Sequence, residues 1–523
     1  MYGVGYFLIR NATCYPNRKA LIFEEREYTY KELNKKVNIL ANNLMKLGIK
    51  KGDTVGFILY NCDEFVTLFF AIQKIGAVAV PLNYRLLAEE IRENVDYAEC
   101  KALVYGEEFS ETVKLVKETS QFLKIIIRLG GDFDTLPEGD LDLDALSESG
   151  SDCEPGVEIE EKDWSVIMYT SGTTGVPKGV VRTHRIVRDY ATMFASENEA
   201  PKDKHEILLT HSPLFHTAGL GLLMKIMALG GTFITIHRAE GVELLEMIER
   251  HRATQVLVIP PVLYLRLSQV KGVEKYNLDS VTEAQSSGGR SSLDITEKMF
   301  QLFPNAKVKT SYGSTEVGAS TSVVLNKEEI TENPNRIYST GKISNFSEMR
   351  IVDEYGKDVP QGVVGEAIIR STFIFDHYLK NPELTWQAVK EGWYYSQDLF
   401  YQDSDGFYYL VDRKQDLIKT GGENVYPQEV ETVLRNHSAI EECAVIGIED
   451  DRYGETIAAA IVIGKGMELT AEEVVQFCRQ NMPSYKKPRY VGFIDKLPLN
   501  SANKIQKSIL RENANEIFKL VDN

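Results

Sequence analysis

Residues 169–180 read YTSGTTGVPKGV, a block whose side chains and backbone both suit an anion. Gly172, Gly175 and Gly179 let the backbone turn tightly and aim N–H groups at a phosphate, while Thr170, Ser171, Thr173 and Thr174 add hydroxyl donors. Lys178 adds a positive charge. A P-loop needs its lysine directly after the second glycine, and here Val176 and Pro177 intervene, so the Walker pattern does not apply. An ordinary surface turn would not gather so many hydroxyls and glycines with a lysine in one short block. The chemistry implied is the grip on a phosphate ester by amides, hydroxyls and an ammonium.

Such a loop needs firm flanks. WSVIMY ahead of it is an apolar run of strand type, and the residues after Val181 have helical character, so the loop is expected to join a strand to a helix, where α/β folds place ligands. From Tyr28 to Tyr105, stretches such as YKELNKKVNILANNLMKLG alternate with TVGFILY and AVAVPL, and the alternation resumes at Ile207. Between Phe109 and Glu161 the chain is acidic and weakly patterned, and reads as a connecting excursion. From Tyr338 to Asp412, short β segments are punctuated by Gly356, Gly362, Gly365 and Gly406, with one helical stretch at 382–390. Helix, strand and helix then return. The expected fold is α/β: a large N-terminal domain of stacked α/β subdomains over 1–413, including a small β-rich subdomain at 338–412, followed by an α+β C-terminal domain over 414–523.

Composition narrows the function further. A chain of 523 residues exceeds what one hydrophobic core usually supports. The formal net charge of -17 argues against a protein whose main business is the nucleic-acid backbone, so any anionic ligand must be held locally. Cysteines 14, 62, 100, 153, 443 and 478 are scattered without a CxxC pair, which fits reduced thiols in a cytoplasmic setting. The N-terminus has no positive charge ahead of its apolar stretch, and no run approaches the length of a membrane span, so the chain reads as soluble and untargeted. His211 and His216 stand five apart without HExxH, and no GxSxG occurs, which leaves metal hydrolase and serine-triad readings without support.

Five more islands lie far apart: PLFHTAG (213–219), SYGSTEVG (311–318), GWYYSQD (392–398), DRKQDLIKTGGENVYP (412–427) and PLNSANKIQK (498–507). With the loop, in this order and spacing, they resemble the adenylate-forming superfamily of acyl-CoA synthetases, peptide-synthetase adenylation domains and luciferases. The resemblance runs from about Tyr28 to Arg511. It implies an AMP-forming carboxylate–CoA ligase using ATP, Mg²⁺ and CoA. A carboxylate attacks the α-phosphate to give an acyl-adenylate and pyrophosphate, and a thiol then takes the acyl group.

The resemblance also implies residue roles. Thr170, Ser171, Gly172, Thr173, Thr174, Gly175 and Lys178 grip the β- and γ-phosphates. Glu316 is the Mg²⁺ ligand, a hard oxygen donor suited to that ion. Tyr312 stacks on adenine, with Gly313, Ser314 and Thr315 beside the nucleotide; Asp398 accepts from both ribose hydroxyls, and Arg413 supports the ribose or phosphate. Lys504 is the expected adenylation catalyst, contacting the acyl carboxylate and the α-phosphate, with Glu316 and His216 as the other catalytic candidates. His216, Gly219, Ser287, Gly288, Gly289 and Val317 bound the acyl pocket. A mobile C-terminal domain is expected to turn about a hinge at Gln415, bringing Lys419, Gly421 and Gly422 to the pantetheine tunnel. Lys486, Lys487 and Arg489 form a basic cluster for which a solvated face is favoured over contact with CoA.

Four departures stand out: Asn503 where glycine is usual, Gln415 where Asp or Lys is usual, SQD in place of TGD, and Arg290 beside the acyl or adenine wall. Phe215-His216 stands where amino-acid-activating relatives carry an aspartate, which points to an acid without an α-amino group. Ala218, Gly219, Gly221 and Leu222 suit a hydrophobic chain or ring. A medium-chain fatty acid is favoured, with an aryl acid close behind. The alternatives are a ligase that loads a separate carrier protein and a nucleotide sensor that has lost catalysis. The expected partners are small molecules, with no nucleic acid and no membrane span; a homodimer is the candidate assembly.

Overall fold

The structure is a computed structural model that describes the chain except residues 1–2, 171–177, 198–204, 238–240, 259–260, 262, 287–291, 451, 500–504 and 522–523, and the side chain of Phe133. The described chain falls into two compact units, Met1–Met349 with Ile369–Tyr394, and Arg350–Ile368 with Tyr395–Asn523. The expected division after Arg413 therefore lies inside the second unit, which takes in much of the segment expected to be β-rich. The one α-helix between residues 338 and 412 is Pro382–Ala388.

The first unit is built on a nine-stranded and an eight-stranded sheet. In the larger, Ile207–Thr210, Gln255–Val258, Glu283–Ser286 and Lys307–Ser314 run parallel in successive pairs, so their carboxyl ends emerge together. In the smaller, Thr54–Ile58 runs parallel to Val78–Pro81 and to Ala102–Gly106, and all its residues are buried. Burial on both faces is why these strands read as nearly unbroken apolar runs. Helix Asp63–Lys74 is buried along its whole length, its N-terminal Asp63 and Glu64 included. Helix Tyr30–Lys46 begins at a capping box of Thr29 and Glu32.

Two expectations about this unit are corrected. The phosphate loop joins two antiparallel strands, Trp164–Thr170 and Lys178–Thr183, with Thr170 opposite Lys178. The helix starts only at His184, where the Thr183 hydroxyl accepts from the Ile186 amide at 3.4 Å. The β-branched run Val180-Val181 continues the strand until that cap takes over. The segment 109–161 is no mere excursion either: it supplies helices Ser110–Thr119 and Leu143–Glu148 and strand Ile125–Leu129, paired parallel with Ala102–Gly106. Its sequence signal is one short apolar run, IIIRL, among acidic residues.

The second unit carries a long antiparallel hairpin, Ile440–Asp450 with Gly454–Ile463. Helices Pro427–Leu434 and Ala471–Asn481 bury Val430, Leu434, Val474, Val475 and Cys478 in the same core. All six cysteines are free thiols. No helix among the described residues is long and apolar enough to cross a membrane.

Candidate active site

SYGSTEVG forms a hairpin tip. Strands Lys307–Ser314 and Gly318–Leu325 pair up to Ser314 opposite Gly318, leaving Thr315, Glu316 and Val317 as the turn. Glycine is required on both sides of it. A Cβ on Gly313 would meet the Gly318 carbonyl oxygen at 1.9 Å, and Gly318 has φ +59 with Tyr190 against its Cα. The result is unusual for a turn carboxylate: Glu316 is buried.

A buried carboxylate needs partners. Tyr378 supplies one, its hydroxyl donating to Glu316 Oε1 at 2.8 Å, and the Glu316 carbonyl accepts from the Phe375 amide at 2.7 Å. Burial and the Glu316 charge push the Tyr378 phenol well above its ordinary pKa, so it remains a donor. The same tyrosine approaches the phosphate-loop lysine: Lys178 Nζ lies 5.7 Å from the Tyr378 ring centroid. That approach is set by the pairing of His377–Tyr378 with Lys178–Thr183, Tyr378 opposite Val180. Arg182, on the same strand, is buried with its guanidinium 5.1 Å from the Tyr190 centroid, close enough to Glu316 for the charges to interact.

Thr315 is tied to the next island. The Thr217 hydroxyl donates to Thr315 Oγ1 at 3.2 Å. Thr217 opens helix Thr217–Leu229, for which His216 is the N-cap residue without a side-chain cap bond. The His216 ring sits 4.3 Å from that of Phe215, which in turn meets Tyr84 edge-on at 5.1 Å. Gly219 has no room for a side chain, since a Cβ would lie 2.4 Å from the Pro213 carbonyl oxygen. Val317 is fully buried. The first unit thus brings together Thr170, Lys178, Tyr312, Gly313, Ser314, Thr315, Glu316 and His216 around the ends of two sheets. Tyr378 and Thr217 were not singled out by sequence; Tyr378 lies 62 positions from Glu316, and no local pattern links them.

Glu316 fits a hard divalent cation. It is a buried carboxylate whose Oε1 accepts from Tyr378, a hard oxygen donor. That suits a Mg²⁺ whose other ligands are phosphate oxygens and water.

In the second unit Asp398 stands opposite Arg413 across an antiparallel pair, with Nε 3.7 Å from Oδ1. The SQD departure has a visible consequence. Gln397 adopts φ +61, the left-handed region that favours glycine, and its amide and Nε2 both donate to Glu366 Oε1, at 3.2 and 2.9 Å. Gln415 lies in the short turn Lys414–Asp416 between two ion pairs: Lys414 with Glu366 at 2.7 Å and Asp416 with Arg511 at 2.7 Å. Gly421 and Gly422, at φ +59 and +86, close a hairpin between Ile418–Thr420 and Glu423–Val425. The Lys419 amide donates to Glu455 Oε2 at 2.8 Å. In that basic cluster Lys486 pairs with Glu429 and Arg489 with Asp450. Ser171, Gly172, Thr173, Thr174, Gly175, Ser287, Gly288, Gly289, Arg290, Asn503 and Lys504 lie outside the described residues.

Comparison with known proteins agrees with these islands. The sequence pattern of the family described as AMP-binding enzyme matches residues 8–379, and that of the AMP-binding enzyme C-terminal domain matches residues 429–504. A feruloyl-CoA synthase of Amycolatopsis is 31% identical over 510 residues, covering 97% of this chain and 98% of that protein. The long-chain-fatty-acid–CoA ligase FadD13 of Mycobacterium tuberculosis is 31% identical over 517 residues, covering 98% of each. Among solved structures, o-succinylbenzoate CoA synthetase of Bacillus subtilis in complex with ATP and magnesium superposes with a TM-score of 0.83 at 28% identity, covering 96% of this chain and 98% of that one.

Proposed function

We infer the reaction from one premise: the chain belongs to the AMP-binding enzyme family, and so is an adenylate-forming acid–thiol ligase working with ATP, Mg²⁺ and CoA. The finer reading is that it activates a hydrophobic acid without an α-amino group. A medium-chain fatty acid is favoured on the apolar run that follows His216. An aryl acid is the second reading, favoured because one of the relatives is named for feruloyl-CoA.

The observation that carries the reaction is the convergence of Lys178, Glu316 and Tyr378 on one buried point. A triphosphate and a carboxylate repel each other, so the first step needs negative charge cancelled and both reactants positioned. Lys178 and the loop amides supply positive charge from the protein, Glu316 offers the oxygen for Mg²⁺, and Tyr378 fixes that carboxylate. Bound Mg²⁺ supplies further cancellation on the phosphates. In this proposal Lys504 meets the charge that builds between carboxylate and α-phosphate, Asp398 and Arg413 hold the ribose end, and rotation about Gln415 then replaces Lys504 with the segment of Lys419, Gly421 and Gly422 for attack by the thiol. Six free thiols favour a reducing, cytoplasmic setting.

The test is product analysis with ATP, Mg²⁺, CoA and a panel of short- to long-chain and aromatic acids. The expected products are AMP, pyrophosphate and an acyl-CoA in equal amounts. Acyl transfer only to a phosphopantetheinyl carrier would replace CoA as the acceptor. Absence of any acid-dependent pyrophosphate release would favour the sensor instead.

A further inference from the structure

Two departures from the family pattern, Gln397 and Gln415, are joined through one carboxylate. Glu366 lies on strand Gly365–Ser371, which neighbours Trp393–Gln402 in a sheet that also takes in Tyr408–Arg413. Its side chain is 5% exposed, so its charge must be met from within the protein. Oε1 accepts from the amide and from Nε2 of Gln397, at 3.2 and 2.9 Å, and Oε2 accepts from Lys414 Nζ at 2.7 Å. Glu366, Gln397 and Lys414 all lie in the second unit.

Each oxygen holds the neighbour of a residue with an assigned role. Gln397 immediately precedes Asp398, the carboxylate assigned to the ribose, and Ser396 on its other side donates to the Ala367 carbonyl at 2.7 Å and accepts from the Asp398 amide at 3.1 Å. A glycine at 397 would reach Oε1 through its backbone amide alone. Glutamine keeps the left-handed φ of +61 and adds a second donor from its side chain. At the other oxygen, Lys414 immediately precedes Gln415, and Asp416 on the far side of Gln415 pairs with Arg511 at 2.7 Å. The hinge turn is thus held on its N-terminal side by Glu366 and on its C-terminal side by helix Lys507–Glu512. One side chain links Asp398 to Gln415, each one residue away from its contact.

We propose that Glu366 is a positioning residue that couples the ribose carboxylate Asp398 to the hinge, so that a nucleotide held at Asp398 firms the N-terminal side of the turn and confines rotation to Gln415. The proposal rests on the ligase reading and deepens it by naming a route between nucleotide and hinge. Ribose hydroxyls donating to Asp398 order the strand at Gln397. Gln397 then keeps Oε1 engaged, and the ionised Oε2 stays on Lys414, a charge-assisted bond. Ordering at one end lowers the cost of order at the other, and the coupling acts in both directions. The ribose stays bound through both half-reactions, so the anchor serves each of them.

The experiment is amide hydrogen exchange over residues 413–416 of the full chain, without nucleotide, with Mg–ATP, and with Mg–2′,3′-dideoxy-ATP, each nucleotide at saturation by calorimetry. Mg–ATP is expected to slow exchange there by about tenfold, and the dideoxy nucleotide, which offers Asp398 no hydroxyl, by less than about threefold. Lys414→Met and Glu366→Gln each cut the arm at Oε2, and both are expected to lose the slowing at saturating Mg–ATP. Lys414→Arg keeps the charge and is expected to restore it, which a merely structural loss would not allow. Lys414 is half-exposed, so its variants remain decisive if Glu366→Gln does not fold. No slowing by Mg–ATP in the wild type, equal slowing by the dideoxy nucleotide, or slowing retained in Lys414→Met overturns the proposal while leaving the ligase intact. A wild type that binds no Mg–ATP overturns both.

Discussion

The Tyr378 hydroxyl donates to the Glu316 carboxylate at 2.8 Å, joining the tip of one hairpin to a two-residue strand that lies against the phosphate-loop strand. The bond fixes one oxygen of a buried acid. Tyr378→Phe removes a donor to a charged group, a loss of about 1.5–3 kcal/mol, or roughly 10- to 100-fold in adenylation if the whole loss falls on the transition state. Glu316→Gln keeps an acceptor for Tyr378 but loses the charge, and should lower adenylation by about 10²- to 10³-fold with little change in stability. Acid-dependent pyrophosphate exchange with thermal unfolding as control checks both; a Tyr378→Phe enzyme as fast as wild type contradicts the assigned role.

Gly219 and Gly221 answer differently to the same substitution. A Cβ on Gly219 would press on the Pro213 carbonyl oxygen at 2.4 Å, whereas one on Gly221 meets the Tyr190 ring at 2.8 Å, a side chain able to shift. Gly219→Ala should therefore be the more destabilising, by about 1–3 kcal/mol. Urea denaturation of the two variants side by side gives the order, and equal midpoints would contradict it.

His184 sets a pH dependence of stability. Its Nδ1 accepts from the Val4 amide at 3.1 Å, and burial pushes its pKa from 6.5 down to about 4. Below 6.5 the unfolded chain takes a proton that the folded chain refuses, so the contribution is complete above 6.5 and is lost as pH falls toward 4. Between pH 7.5 and 5 the loss is about 2 kcal/mol. His184→Gln, which cannot titrate, should show a flatter fall in urea midpoint over that range. A slope equal to that of wild type refutes the assignment.

If Gln415 is the hinge proposed above, a substitution there should separate the two half-reactions. Proline there locks φ in a turn held on both sides by ion pairs. Gln415→Pro is expected to leave pyrophosphate exchange within a few-fold of wild type and to slow thioester formation by roughly 10²-fold, the scale of a misplaced reacting group. Equal slowing of both steps, followed in single turnovers, would place the hinge elsewhere.

The α/β rhythm and the family were legible because buried parallel strands leave apolar runs and the site islands are local, each one turn or hairpin long. What sequence missed is non-local or weakly patterned. Tyr378 reaches Glu316 only through strand pairing, and Lys225 meets Gln255 only when helix and sheet pack. The strand after the phosphate loop was hidden by its shortness before the Thr183 cap. Strand IIIRL was hidden by its acidic surroundings. Gln397 shows how a departure is accommodated: the backbone keeps a glycine-like conformation, and Glu366 holds it with two hydrogen bonds.

The central claim is that this chain makes an acyl-adenylate with an ammonium from its C-terminal part at the reacting centre. Acid-dependent ATP–pyrophosphate exchange by wild type and Lys504→Ala tests it most directly. The account expects robust exchange in the wild type and a fall of about 10²- to 10³-fold in the variant. Near-normal exchange in Lys504→Ala, or none in the wild type with any carboxylic acid, would contradict it.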